Sequence, residues 1–281
     1  MDLNSEIINN VTKSLSEDIG AYDLTSSLIN SESSTTATVI SRERAILCGL
    51  KWFETCFHQL SPPTEINWFV KEGDIIFAGQ ELCRIKGNTC SLLTAERSAL
   101  NFLQTLSAVA TKTRSYVNKV AGTKAIIVDT RKTIPGLRLA QKYAVKCGGG
   151  LNHRLGLYDG VLIKENHIRS AGGITAAIKT AKKIISNNVT IQIEVETESE
   201  LFNAIDAGAE MILLDNFNLN NLKDAVKLVT SLKNRNIILE ASGGITLDNV
   251  KRVAETGVDR ISIGSITKNI RAIDFSMDFI T

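Results

Sequence analysis

Ala207-Gly208-Ala209-Glu210-Met211-Ile212-Leu213-Leu214-Asp215 and Thr256-Gly257-Val258-Asp259-Arg260-Ile261-Ser262-Ile263-Gly264 follow one pattern, in which a glycine that closes a helix leads directly into a buried strand. Outward from this pair, the chain after Gly122 alternates short apolar runs with amphipathic stretches, the signature of parallel βα units. Strands are predicted at Ala125–Val128, Gly160–Ile163, Thr190–Val195, Met211–Leu214, Ile237–Leu239 and Arg260–Ile263, with room for a covering helix in each crossover. Thr197 and Glu200 form a capping box that opens one of those helices. Units built alike favour an α/β barrel over an open sheet.

Upstream the pattern is mixed. A helix is predicted near Ile7–Glu17, then strands at Ala37–Ile40, Ile66–Val70 and Glu81–Ile85, with Lys71-Glu72-Gly73-Asp74 and Ala78-Gly79-Gln80 as turns. A long helix over about Leu92–Val120, with Leu93, Leu100, Leu103, Leu106 and Val109 at helical spacing, bridges the two parts. Only three prolines occur and no stretch reads as a flexible linker, so the parts are expected to be tightly joined.

Composition limits the function classes. The 281 residues are 43% hydrophobic, enough for a large core without disulfides or a structural metal. With 32 Lys plus Arg against 30 Asp plus Glu, the formal charge is +2, which lacks the basic excess of a nucleic-acid binder. No apolar run is long enough to span a bilayer, and Met1–Asn10 has no apolar signal core, so no membrane partner and a cytoplasmic location are expected. Cys48, Cys56, Cys83, Cys90 and Cys147 are odd in number and form no C-x-x-C pair, which reads as reduced thiols.

In a barrel, function gathers at the C-terminal ends of the strands. Those positions hold Asp129-Thr130-Arg131-Lys132, Lys164-Glu165-Asn166-His167, Glu194 with Glu196, Asp215-Asn216, Glu240-Ala241-Ser242-Gly243-Gly244, and Gly264-Ser265. Charges at the ends of apolar strands are costly unless they are paired or bind something. Ser242-Gly243-Gly244 and Ile263-Gly264-Ser265 are either plain tight turns or loops whose backbone N–H groups close on a phosphate. Between Arg131 and Arg154 stand seven basic residues and no Asp or Glu, with Cys147-Gly148-Gly149-Gly150 ahead of Asn152-His153-Arg154. This is either a solvated face or a site for carboxylates and phosphates, which arginine forks bind with two bonds. Glu194 and Asp215 either neutralise Lys164 or hold Mg²⁺ or sugar hydroxyls. His167 is expected to cap or pack.

Taken together, these motifs resemble the quinolinate phosphoribosyltransferase family: Thr130-Arg131-Lys132-Thr133-Ile134-Pro135-Gly136-Leu137-Arg138, Gly148–Asp159, Leu162-Ile163-Lys164-Glu165-Asn166-His167, Leu93-Thr94-Ala95-Glu96-Arg97, Ile193–Glu196 and Glu240–Ile245. The resemblance covers nearly the whole chain. It implies an α/β fold in which an N-terminal α/β sandwich (1–108, joined by the returning segment 266–281) accompanies an incomplete α/β barrel (109–265). It also implies phosphoribosyl transfer from 5-phosphoribosyl 1-diphosphate to quinolinate with loss of CO₂.

Residue by residue, the resemblance assigns catalytic positions to Lys164, Glu194 and Asp215. Arg97, Thr130, Arg131, Lys132, His153, Arg154 and Lys164 would bind quinolinate. Lys132, Arg138, Ser242, Gly243, Gly244, Ile263, Gly264, Ser265 and Lys268 would hold the phosphates. Glu194 and Asp215 would carry Mg²⁺, partly through water. A homodimer is implied, in some members a larger oligomer, with Arg97 reaching the partner's site. The chain departs from the family pattern at Lys268, where a His is common, and at Glu165, where an Asp is common. Two other readings compete: Lys164 as a Schiff-base lysine, and a non-catalytic, molybdenum-transport-associated relative that binds anions without turnover.

Overall fold

The computed structural model describes residues 2–60, 63–185, 189–232 and 236–280. The chain divides into two compact units, Met1–Arg114 with Thr133–Gly149 and Ile266–Thr281, and Ser115–Lys132 with Gly150–Ser265. In chain order the elements begin with α1 (Leu3–Ile19), β1 (Ser34–Ser41), β2 (Ala45–Ile46), α2 (Leu50–Leu60), β3 (Glu65–Trp68), β4 (Ile75–Ile76), β5 (Glu81–Asn88) and α3 (Thr89–Lys119). They continue with β6 (Ile126–Val128), α4 (Arg138–Cys147), β7 (Gly160–Ile163), α5 (Glu165–Ala171), α6 (Ile174–Ile184), β8 (Thr190–Val195), α7 (Glu198–Asp206) and β9 (Met211–Asp215). The last are α8 (Leu219–Ser231), β10 (Ile238–Ser242), α9 (Val250–Ala254), β11 (Arg260–Ser262), α10 (Ser265–Lys268) and β12 (Phe275–Ile280).

The first unit is built on an antiparallel sheet in the order β12-β1-β5-β3. In β1 the side chains of Ala37, Val39 and Ser41 alternate inward, the period of a sheet with one buried face. The chain end returns as β12, which pairs with β1 from Thr36↔Ile280 to Ser41↔Phe275. On α1, capped by the Asp2 carboxylate accepting from Ser5 N–H, Ile7, Val11 and Leu15 form the buried stripe. On α3, Leu92, Leu100, Leu103, Leu106 and Val109 are buried, each contributing about 1.5–3 kcal/mol of transfer energy, whereas Leu93 is only half-buried.

Thr133–Gly149, expected within the barrel, groups with the first unit instead. The reason is local packing and one buried polar side chain. Asn10 on α1 donates to the Gly136 carbonyl at 3.2 Å and accepts from Trp52 Nε1 at 3.2 Å, and the Trp52 ring meets Tyr143 of α4 at 5.4 Å. The glycine run after α4 also has a packing explanation. A Cβ on Gly148 would lie 2.5 Å from both the Ala110 carbonyl oxygen and Thr113 Cβ, so glycine is required for close approach to α3. Lys142, counted in the basic stretch, is buried.

The second unit holds six parallel strands in the order β6-β11-β10-β9-β8-β7. Among the described residues β6 and β7 share no ladder, and the bridge Val128↔Leu151 lies outside the named strands, so the barrel is incomplete. Each strand overlaps its sequence expectation. The capping box forms: Thr197 Oγ1 accepts from Glu200 N–H at 3.2 Å and the Glu200 carboxylate accepts from Thr197 N–H at 3.3 Å. The cysteines are all free, and burial pushes the Cys56 thiol up to about 12. Among the described residues no helix is long and apolar enough to cross a membrane.

Candidate active site

The C-terminal strand ends of the second unit carry most of the expected site. After β6, Asp129 is fully buried and accepts from Asn152 Nδ2 at 2.6 Å and from the His153 backbone N–H at 2.8 Å. Beyond it, the Lys132 N–H donates to Thr130 Oγ1 at 3.1 Å. The Lys132 stem runs over Gly264: a Cβ there would stand 3.0 Å from Lys132 Cδ and 3.4 Å from Thr130 Oγ1. Glycine at 264 therefore lets the ends of β6 and β11 approach.

Arg154 donates through Nη1 to the Gly160 carbonyl at 2.9 Å. Burial, followed by the positive charge of Arg131, holds its guanidinium below its ordinary value, with Asp159 opposing. The Asp159 carboxylate accepts from Leu155 N–H at 2.7 Å and Gly156 N–H at 2.8 Å within its own turn. Two arginines close enough to repel in a half-buried setting suit a ligand with negative charge.

Lys164 Nζ meets Glu194 Oε2 at 2.6 Å, linking the ends of β7 and β8. His167 caps: its Nδ1 accepts from Lys164 N–H at 3.0 Å at the start of α5. Glu165 pairs with Arg169 on the same helix. Asp215 accepts from Asn216 Nδ2 at 3.0 Å, and Asn216 N–H donates to the Ser242 carbonyl at 2.9 Å. Asn216, with φ 57°, is the one non-glycine in the left-handed region among the described residues. Gly243 and Gly244 follow Ser242 at φ +93° and +60°; space beside Gly244 is open, which leaves its backbone accessible. Ser265, at the start of α10, lies 3.4 Å from the Tyr116 hydroxyl, and Ile263 is buried behind the loop.

Arg97, Arg138 and Lys268 lie in the first unit. Arg97 is exposed on α3 and makes no hydrogen bond or ion pair among the described residues. Arg138 opens α4, donating through Nε to Thr133 Oγ1 at 3.2 Å, and Lys268 is exposed at the end of α10.

Gln192, Glu240 and Arg260 received no role from the sequence. His153 Nδ1 accepts from Arg154 N–H at 2.8 Å, while its Nε2 meets Gln192 Oε1 at 2.8 Å. Gln192 Nε2 in turn donates to Glu240 at 3.1 Å, and Arg260 Nε stands 3.2 Å from the same carboxylate. The available signal was a polar residue interrupting an apolar strand, as in Ile191-Gln192-Ile193 and Leu239-Glu240-Ala241.

For a metal, the donors at the strand ends are carboxylate oxygens. Glu194 and Asp215 each commit one oxygen, to Lys164 and Asn216, and among the described residues the second oxygen of each accepts no hydrogen bond. Two hard ligands of this kind fit Mg²⁺, which keeps several waters and leans on phosphates for the rest.

Comparison with known proteins shows the family and the fold. Residues 109–278 match the family described as quinolinate phosphoribosyl transferase, C-terminal domain, and residues 23–107 match its N-terminal domain. A probable nicotinate-nucleotide pyrophosphorylase (carboxylating) of Bacillus subtilis is 41% identical over 262 residues, covering 93% of this chain and 89% of that one. A mitochondrial quinolinate phosphoribosyltransferase (decarboxylating) of Nicotiana tabacum is 35% identical, covering 94% of this chain and 79% of that one. The solved nicotinate-nucleotide pyrophosphorylase of Francisella tularensis superposes with a TM-score of 0.94 at 45% identity, covering 100% of this chain and 98% of that one.

Proposed function

The chain belongs to the quinolinate phosphoribosyl transferase family, and from that premise we infer how its own residues carry the reaction. It transfers the phosphoribosyl group of 5-phosphoribosyl 1-diphosphate to quinolinate with decarboxylation, giving nicotinate mononucleotide, CO₂ and diphosphate, a step of NAD biosynthesis. The observation that carries the site assignment is the ion pair that joins two strand ends, Lys164 Nζ on Glu194 Oε2 at 2.6 Å, with Arg131 and Arg154 half-buried at the same end of the unit. Cations gathered in this way suit a dicarboxylate.

In this reading Arg131, Arg154 and Lys164, with Thr130, Lys132 and His153 around them, receive the two quinolinate carboxylates. Ser242, Gly243, Gly244, Gly264 and Ser265 offer backbone N–H groups to the 5-phosphate, Ile263 anchors their loop by donating its own N–H to the Val128 carbonyl at 3.0 Å, and Lys132, Arg138 and Lys268 supply positive charge for phosphates. Glu194 and Asp215 would hold Mg²⁺, partly through water, and the ion would supply charge neutralisation for the departing diphosphate.

The chemistry asks little covalent work of the protein. The pyridine nitrogen forms a bond to ribose C1 as the C1–O bond to diphosphate breaks, and positive charge develops at C1. Catalysis is then alignment plus stabilisation of the leaving group by cations. Alkylation makes the ring nitrogen cationic. The bond to the neighbouring carboxylate breaks, CO₂ departs, and the electron pair left on carbon is stabilised by that nitrogen until a proton arrives. Lys164 Nζ is engaged by Glu194 at 2.6 Å, which suits an anion grip rather than a free amine for a Schiff base.

A homodimer in which Arg97 completes the partner's quinolinate site belongs to the same reading; the exposed, unpaired Arg97 supports it. So does a cytoplasmic location, supported by five free cysteines.

The direct test supplies the purified protein with quinolinate, 5-phosphoribosyl 1-diphosphate and Mg²⁺, with nicotinate in a parallel reaction. Nicotinate mononucleotide should form from quinolinate, with one CO₂ per product, and not from nicotinate, whose single carboxylate leaves cations unpaired. A folded sample that binds 5-phosphoribosyl 1-diphosphate yet makes no product would overturn the catalytic reading.

A further inference from the structure

We propose that Glu240 and Gln192 are positioning residues for the quinolinate site: through them the barrel interior selects the tautomer of His153, and His153 in turn holds the Arg154 backbone. The proposal rests on reading Arg154 as a carboxylate grip.

Glu240 is fully buried in β10, between buried Leu239 and Ala241. An isolated carboxylate there would be severely destabilising, so its partners matter. It sits beside Arg260 in the β10–β11 register, with Arg260 Nε at 3.2 Å, and Gln192 reaches it from β8. His153 Nε2 lies 3.7 Å from its other oxygen, close enough to feel the charge but too far for a hydrogen bond.

The network has a direction. On the Glu240 side the Gln192 NH₂ group donates to the carboxyl oxygen at 3.1 Å. The Gln192 carbonyl oxygen is thereby turned to His153, and the imidazole must present Nε2–H to it at 2.8 Å. That tautomer leaves Nδ1 unprotonated, able to accept the Arg154 backbone N–H at 2.8 Å. Both ends of the chain demand the same proton position.

Both ring nitrogens of His153 are therefore engaged inside the unit. From the other side Asp129 holds the same corner, accepting from the His153 N–H and from Asn152. Two fully buried carboxylates, one by direct bonds and one through an amide, thus fix the backbone from which Arg154 projects. Such support decides whether a guanidinium fork meets a carboxylate in register.

The test uses the full chain with ¹⁵N-labelled imidazoles, Glu240→Gln, and Gln192→Met, a replacement of similar volume that removes the amide. His153 in the unaltered protein should show a single Nε2–H tautomer. In either folded variant the tautomers should mix and the quinolinate KM should rise roughly tenfold or more, with the 5-phosphoribosyl 1-diphosphate KM little changed. An unchanged His153 tautomer in both variants would overturn the relay, and a mixed tautomer with unchanged quinolinate KM would overturn its role in positioning. Arg154→Ala, measured alongside, separates this from failure of the grip itself: if it too leaves the quinolinate KM unchanged, the Arg154 assignment is what fails.

Discussion

Gly243 stands where Asn216 leaves no room for a side chain: a Cβ at Gly243 would lie 2.1 Å from Asn216 Oδ1 and 2.9 Å from its backbone nitrogen. The two residues end neighbouring strands, and each needs the other's backbone shape. Asn216 sits in the left-handed region because its N–H donates to Ser242 and its amide to Asp215.

Gly243→Ala should therefore displace Asn216 and, with it, the orientation of Asp215. Left-handed backbone at 243 adds roughly 1–2 kcal/mol of strain for a residue with a Cβ. The expected outcome is a lower Tm and a KM for 5-phosphoribosyl 1-diphosphate raised more than that for quinolinate. Equal Tm and KM values for variant and parent would disprove the packing argument.

Arg131→Ala and Lys164→Ala should each leave circular dichroism unchanged and reduce turnover by at least ~100-fold, because substrate charge is left unpaired. Steady-state kinetics with both substrates checks this. Retained activity in either variant removes that residue from the site.

If Arg97 serves the partner's site, subunits carrying Arg97→Ala and subunits carrying Lys164→Ala should each be inactive alone and recover part of the activity when mixed. One site of such a heterodimer has both residues intact. Verified heterodimers with no recovered activity would argue against sharing.

Asp23 offers a pH test in the first unit. The Ser26 hydroxyl, then the Ser26 N–H and the Thr94 hydroxyl, hold its carboxyl down at about 2 from 3.8. A depressed folded value means that the stabilisation is complete above the unfolded value and fades as pH falls through the folded one. The Tm difference between parent and Asp23→Asn should thus hold steady from neutrality to about pH 5 and shrink between about 4 and 2. A difference that does not shrink over that interval would show that the carboxylate's charge is not what matters.

Much of the fold was legible because it is written in consecutive residues. Apolar runs such as Met211–Leu214 become strands wherever they are buried on both faces, and Thr197 and Glu200 cap α7 with atoms three residues apart. Strand ends then marked Lys164, Glu194 and Asp215, since charge after an apolar run has few structural uses. The short β2 and β4 escaped notice, as two-residue strands carry no period to read.

By itself, then, the sequence determined the parallel βα units, the family and the charged rim of the barrel, all of which depend on residue order and local spacing. Only the tertiary structure decided that Gly148 serves packing on α3, that Thr133–Gly149 joins the first unit through Asn10, and that His153 is tied to Glu240. Gln192 meets His153 across 39 positions of chain and Glu240 across 48, and only the folded barrel makes them neighbours. A hydrogen bond depends on distances of a few tenths of an ångström between groups whose separation along the chain carries no signal, so folding had to bring them together before their chemistry could be read.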